Sequence, residues 1–205
     1  KRDKEYFHRC SYKFPEKLIN LILSAYQNSK LENVKIIPKS LKKNLFFSAS
    51  MIEVSFEDQF CEKADALISA GINYFHIDVG DGILISRKFS GLSKLGYLSS
   101  LNKNLKLHTH LMVKDPLIMN GNNSYVDQYI DAGSTSMAIH RRSFHNDLEL
   151  KKTMDYIKSR NCRPGLLIEI VENNLNELWE LIQYLEINWV VIMGVPIGYG
   201  GQLFQ

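Results

Sequence analysis

Six short apolar runs, "LFFSASMI", "NYFHIDV", "NLKLHTHLMV", "STSMAIH", "RPGLLIEIV" and "NWVVIMGV", recur about 30 residues apart from position 45 onward. Each run is nearly continuous and β-branched-rich, as expected of parallel strands covered by helices. Between them lie stretches with helical spacing. Helical candidates there include Phe56 to Ala70, closed by Gly71, Ser124 to Ala132, closed by Gly133, and Asn176 to Leu185. Strand and helix alternating at this period constrain the chain to an α/β fold of βαβ units. An open doubly wound sheet is the rival architecture. Against it, no Gly-x-Gly-x-x-Gly follows the first run, and polar residues gather near the C-terminal ends of several runs, where barrel enzymes keep their chemistry. A (β/α) barrel is therefore expected.

The front of the chain is different in kind. Residues 1–45 hold 11 Lys or Arg against 4 acidic residues, net +7, while the remainder carries net −4. After Pro15, the residues Leu18, Ile19, Leu21, Ile22, Leu23 and Tyr26 form an apolar stripe at helical spacing, and "NVKIIP" reads as a short strand ended by Pro38. Residues 1–45 thus read as a basic N-terminal helical extension and 46–205 as the barrel domain. The extension lacks the interleaved aromatics of a nucleic-acid reader, so no nucleic-acid partner is expected. No run approaches the roughly 18 apolar residues of a membrane span, and no secretory signal is evident, which leads to the expectation of a cytoplasmic protein with no membrane partner. Cys10, Cys61 and Cys162 are odd in number, widely spaced and in no CxxC pair, and read as reduced thiols.

Two short motifs carry chemistry. In a strand, residues i and i+2 share a face, so His76 and Asp78 of "HIDVGDG" point together, as do His108 and His110 of "LHTHLMV". On neighbouring barrel strands these three imidazoles and one carboxylate converge at one height, a donor set for a divalent transition metal. A lone histidine of this kind is usually a hydrogen-bonded core residue. Two pairs on successive runs point to a site.

"SASMI", "AGINYFHIDVGDG", "HTHLMVKDP", "DAGSTSMAIH" and "VVIMGVPIGYGGQLF" together resemble the ribulose-phosphate 3-epimerase family in order and approximate spacing, from about residue 46 to the end. The resemblance implies a TIM barrel of the ribulose-phosphate-binding type. It also implies a metal-dependent isomerase of carbohydrate metabolism that epimerises ketose phosphates at C3: ribulose 5-phosphate to xylulose 5-phosphate in the pentose phosphate pathway, or a related hexulose phosphate. The implied cofactor is a divalent cation (Zn, Fe, Mn or Co), and a homo-oligomer is expected. Carried over residue by residue, His76, Asp78 and His110 fall on metal-ligand positions, and Asp78 also on one of two catalytic aspartates. Ser50, His110, Met112 and Met193 fall on substrate-lining positions. Gly198, Tyr199, Gly200 and Gly201 fall on the loop that closes over substrate and phosphate. The residue types suit the chemistry, because a hydrogen beside a ketone is acidic enough for a carboxylate base only when a cation stabilises the enediolate.

The match also has gaps. The family's second aspartate lies on the seventh strand, and the loops after strands seven and eight complete its phosphate grip, whereas this sequence stops after six runs. It also begins with Lys rather than Met, so a fragment or processed chain is expected, with a barrel lacking its last two βα units. His108 stands where the family usually has Asp, Gly80 where it has a bulky residue, and Glu169-Ile170 where Asn-Pro is common. "GILISRKFS" lacks the usual Pro-Asn. Glu169 reads either as a stand-in second acid or as a charged strand end facing solvent. Arg141 and Arg142 read either as phosphate ligands or as a solvated basic turn. The alternative to an epimerase is a catalytically impaired paralogue serving as a sugar-phosphate-binding or interaction module.

Overall fold

The structure, a computed structural model, describes residues 48–52, 59–120, 123–169 and 175–199. The basic extension and its expected helix and strand therefore lie outside the described residues, as do Gly200 and Gly201.

Chain order gives β1 (Ser48–Ser50), α1 (Phe60–Ser69), β2 (Tyr74–Asp81), β3 (Lys88–Phe89), α2 (Leu92–Leu101), β4 (Lys106–Met112), β5 (Met119–Asn120) and β6 (Asn123–Ser124). There follow α3 (Tyr125–Asp131), β7 (Ser136–His140), a 3-10 turn (Arg141–Ser143), α4 (Asp147–Ser159), β8 (Arg163–Ile168), α5 (Leu175–Leu185) and β9 (Val190–Ile192). All six apolar runs form strands. They pair in parallel in the order β1-β2-β4-β7-β8-β9, with β3 adding antiparallel to β2. Each new parallel strand joins beside the last and the order never reverses. A doubly wound sheet would reverse at a switch point, so the order is that of a barrel wall.

Helix ends follow local chemistry. Ser124 caps α3 by accepting from the Asp127 N–H at 3.1 Å, and Asn146 caps α4 by accepting from the Glu149 N–H at 3.0 Å. Gly71 and Gly133 follow α1 and α3 with φ of +90° and +109°, a conformation that favours glycine after a helix. Expected boundaries hold to within a residue or two, except that α1 begins at Phe60, with residues 53–58 outside the description. Two helices absent from the candidates above, α2 and α4, complete the alternation.

The core is one-sided. Phe75, Ile77 and Val79 of β2, Leu107 and Leu111 of β4, and Met137 and Ile139 of β7 form one buried cluster with helix residues such as Phe60, Leu95, Val126, Leu150 and Ile157. The intervening residues of the same strands, His76, Asp78, His108, His110, Ala138 and His140, stay out of it. Side-chain alternation thus turns these apolar residues to the helix side and the histidines and Asp78 to the other, inner face. Burial at about 25 cal/mol per Å² makes the sheet–helix layer the main source of stability. The inner face is left for chemistry.

Candidate functional site

The register of β2 and β4 sets the site. Asp78 lies directly beside His110, and His76 beside His108 one layer nearer the N-terminal end of the strands. The four groups therefore occupy two levels. The expectation of a single height fails because pleated neighbours in register stack i and i+2 along the strands, with a rise of roughly 3.3 Å per residue.

Asp78 Oδ1 is the hub. His76 Nε2 donates to it at 3.0 Å and His110 Nδ1 at 2.9 Å, while Ser50 Oγ donates to Oδ2 at 3.2 Å. One donor atom from each of His76, Asp78 and His110 lies within 4.8 Å of the others, so these three could hold a metal ion, and His108 falls outside the trio. Burial alone would raise the Asp78 carboxyl, but the hydrogen bonds from His110 and His76, with their charges, outweigh it and hold the group well below the usual carboxylate range. Burial lowers His110 to about 4 against the opposing pull of Asp78. Burial, and then the nearby His76 and His110, lower His108 well below the ordinary histidine value. His110 and His108 are therefore neutral at physiological pH, the state in which an imidazole ligates a metal.

His108 acts from beneath. Its Nδ1 lies 3.0 Å from His76 Nδ1, and with His76 donating to Asp78 through Nε2, His108 is the donor of that bond. Its Nε2 is buried without a hydrogen-bond partner among the described residues, and its ring lies against the Trp189 ring at a centroid distance of 4.5 Å. Trp189 has room because residue 165 is glycine: a Cβ there would meet the indole at 2.2 Å.

Two residues join that the motifs did not supply. His140, at the end of β7 and fully buried, places Nε2 at 2.8 Å from His110 Nε2 and Nδ1 at 3.0 Å from Glu169 Oε1. Its position two residues beyond Ala138 on the inner face is the signal that could have found it, since the i, i+2 rule used for β2 and β4 applies equally to β7. Arg87 reaches in from the loop after β2, where Nη1 donates to the Gly198 carbonyl at 2.9 Å and the guanidinium lies 5.0 Å from the Tyr199 ring.

Met112 is buried at the end of β4, in register with Gly80. Met193 follows β9 and donates its N–H to the Ile168 carbonyl at 2.9 Å. Gly198 has φ +101°, and Tyr199 is 54% exposed at the rim. At Gly80 the loop after β2 folds back over the strand, and a Cβ would meet the Arg87 carbonyl oxygen at 2.7 Å and Ile85 Cδ1 at 2.9 Å. Glu169 does not simply face solvent. The hydrogen bond from His140 lowers its pKa first, with Arg142 adding to the effect against partial burial. Asp81, the second aspartate of the "HIDVGDG" motif, is a brace: Oδ1 accepts from the Ile83 and Leu84 N–H groups at 2.8 Å each, and Oδ2 from the Lys114 N–H at 2.7 Å.

No helix among the described residues is long and apolar enough to cross a membrane. The barrel wall is matched by a 3-hexulose-6-phosphate synthase from Salmonella typhimurium, at a TM-score of 0.50 and 14% identity over 71% of this chain and 62% of that one, a likeness of fold. Ribulose-phosphate 3-epimerases from two strains of Buchnera aphidicola are 26% and 28% identical over 79% and 78% of this chain. The chloroplastic ribulose-5-phosphate-3-epimerase of Arabidopsis thaliana is 27% identical over 80% of it. The chain spans 65%, 65% and 54% of the lengths of those three relatives, respectively. A sequence profile described as the ribulose-phosphate 3 epimerase family matches residues 47–205, which takes in all six parallel strands and the His76, Asp78 and His110 cluster on their inner face, and by that match the chain belongs to the ribulose-phosphate 3-epimerase family.

Proposed function

We propose that this protein is a metal-dependent 3-epimerase of a ketose phosphate, ribulose 5-phosphate and xylulose 5-phosphate or a related hexulose phosphate. The observation that carries the reading is the convergence of His76, Asp78 and His110 donor atoms on the inner face of two adjacent strands. These donors suit a divalent cation: two imidazole nitrogens and one carboxylate are borderline ligands favoured by Zn, Fe, Mn and Co. Tetrahedral bonds of about 2.1 Å require donor atoms about 3.4 Å apart. The present Asp78–His110 and Asp78–His76 separations of 2.9 and 3.0 Å would widen by about half an ångström. A cation held there supplies a Lewis acid for the enediolate oxygens.

The chain's own groups do the rest. Asp78, ionised at neutral pH, takes the proton from C3 as the C3–H bond breaks and its electron pair moves into the C2–C3 double bond of the enediolate. Ser50 holds Oδ2 in place. His108 holds the ring orientation of His76 through the 3.0 Å contact between their Nδ1 atoms. Inversion requires a second acid to return a proton to the opposite face of C3. Glu169, the carboxylate joined to Asp78 through His110 and His140, is the candidate for that role once it has taken up a proton.

The test is deuterium wash-in at C3 with metal-loaded protein in D2O. Pentulose or hexulose phosphate should gain deuterium at C3, and Asp78→Asn should lower the rate by about 10²- to 10⁴-fold. Absence of incorporation into any ketose phosphate, with metal present, overturns the proposal and leaves a binding module.

A further inference from the structure

At the mouth of the barrel a cavity of about 310 Å3 opens between the loop after β2, the turn after β7, the end of β8 and the loop after β9, at the lower end of the range for small-molecule sites. Two arginines line it, Arg87 from the loop after β2 and Arg142 from the turn after β7, and Glu169 is the one carboxylate among its lining residues.

The two adjacent arginines of the turn have separate roles. Arg141 is consumed by structure: Nε and Nη2 donate to Asp147 at 2.8 Å each, and Nη1 pairs with Glu177. Arg142 engages Glu169 through Nε alone, at 2.7 Å, and its terminal nitrogens have no protein partner among the described residues. Arg87 is held in place by the Gly198 carbonyl and by the Phe89 and Tyr199 rings, 5.3 and 5.0 Å from its guanidinium. A guanidinium fixed in this way has little rotamer entropy left to lose on binding an anion.

We infer that Arg142 and Arg87 clamp the phosphate of the sugar in this cavity, an assignment that rests on the sugar-phosphate reading above. Guanidinium forks match phosphate oxygens, and charge-assisted bonds of this kind are about twice as strong as neutral ones. Two guanidiniums against one carboxylate leave the cavity positive, and His140 Nδ1 also engages that carboxylate, at 3.0 Å. The position fits the substrate as well. In a ketose 5-phosphate the phosphate hangs two carbons beyond C3, so its site must lie beside the proton-transfer groups rather than on them. Glu169 and His140 link the cavity to His110 and Asp78 in that manner. The clamp relies on side chains, with the loop at Gly198 as a brace for Arg87.

Calorimetric titration of the metal-loaded protein with ribulose 5-phosphate and with phosphate-free ribulose tests the clamp. Arg142→Gln should weaken ribulose 5-phosphate by about tenfold or more, as expected for loss of a charged hydrogen bond, and leave ribulose unchanged. Arg142→Lys should fall between. Glu169→Gln, which removes a negative charge from the cavity, should tighten the phosphate ester, the opposite sign from a merely structural disturbance. Binding of ribulose 5-phosphate by Arg142→Gln within twofold of the parent overturns the clamp, as does an equal loss for ribulose. C3 exchange in the same samples keeps the two readings apart. Exchange whose substrate affinity ignores Arg142 removes the clamp alone, and Arg142-dependent phosphate binding without exchange removes the epimerase reading alone.

Discussion

Replacing Asp81 by Asn changes almost no volume and removes one charge, so its cost can be worked from hydrogen bonds alone. The carboxylate is 8% exposed and accepts three backbone N–H groups, two from its own loop and one from Lys114 beyond β4. An amide has one acceptor oxygen. With that oxygen turned to Ile83 and Leu84, its NH2 group faces the Lys114 N–H, donor against donor, and that donor is left unsatisfied at about 1–3 kcal/mol. The two surviving bonds fall from charge-assisted to neutral strength, about 1 kcal/mol each. The sum is about 3–5 kcal/mol, a large part of the roughly 5–15 kcal/mol that holds a typical domain together. Urea denaturation followed by far-UV circular dichroism, with the slope unchanged, reads the loss directly. Asp81→Asn should nevertheless keep its metal stoichiometry under folding conditions, since the Asp81 carboxylate is engaged with the Ile83, Leu84 and Lys114 N–H groups and not with His76, Asp78 or His110. A loss below about 1 kcal/mol, or a selective loss of metal from a fully stable protein, would refute the assignment of Asp81 as a brace.

Three further outcomes are expected. Zinc at a hundredfold excess over its dissociation constant should raise the unfolding free energy by about 2.7 kcal/mol, and His76→Ala with His110→Ala should abolish that gain in calorimetry. The metal-free protein should lose stability between pH 6.5 and 4, because the unfolded chain protonates His110 at about 6.5 while the folded one does so at about 4. The sign is a gain present above pH 6.5 and lost on acidification, about 3 kcal/mol for this residue, and His110→Gln should flatten that part of a pH-dependent denaturation series. Gly165→Ala drives a methyl into the Trp189 ring and should cost about 1–3 kcal/mol by thermal melting.

Strand positions and the β2–β4 site were legible because both depend on local rules. Apolar continuity marks a buried strand, and the two-residue period puts His76 with Asp78 and His108 with His110 whatever the rest of the chain does. What lay beyond the sequence was relative height and long-range partnership. Stacking of His108 beneath the trio needs the register of β2 against β4, which no single strand encodes. The role of Glu169 depends on His140, 29 residues earlier, and the difference between Arg141 and Arg142 on acidic partners in α4 and α5. Helices α2 and α4 were harder to read than their neighbours, since Gly96 and the serines of "LSKLGYLSSL" dilute one pattern and the lysines of "DLELKKTMDYIKS" the other.

The alternation of faces along the central strands has an evolutionary consequence. Phe75, Ile77, Leu107, Leu111, Met137 and Ile139 hold the wall to its helices, while His76, Asp78, His108, His110 and His140, between them in sequence, contribute nothing to that cluster. Exchange of inner-face side chains therefore leaves the apolar sheet–helix layer intact. Selection on chemistry and selection on stability act here on interleaved residues that answer to separate pressures, so sequence divergence in this chain should concentrate on alternate positions of the same strands.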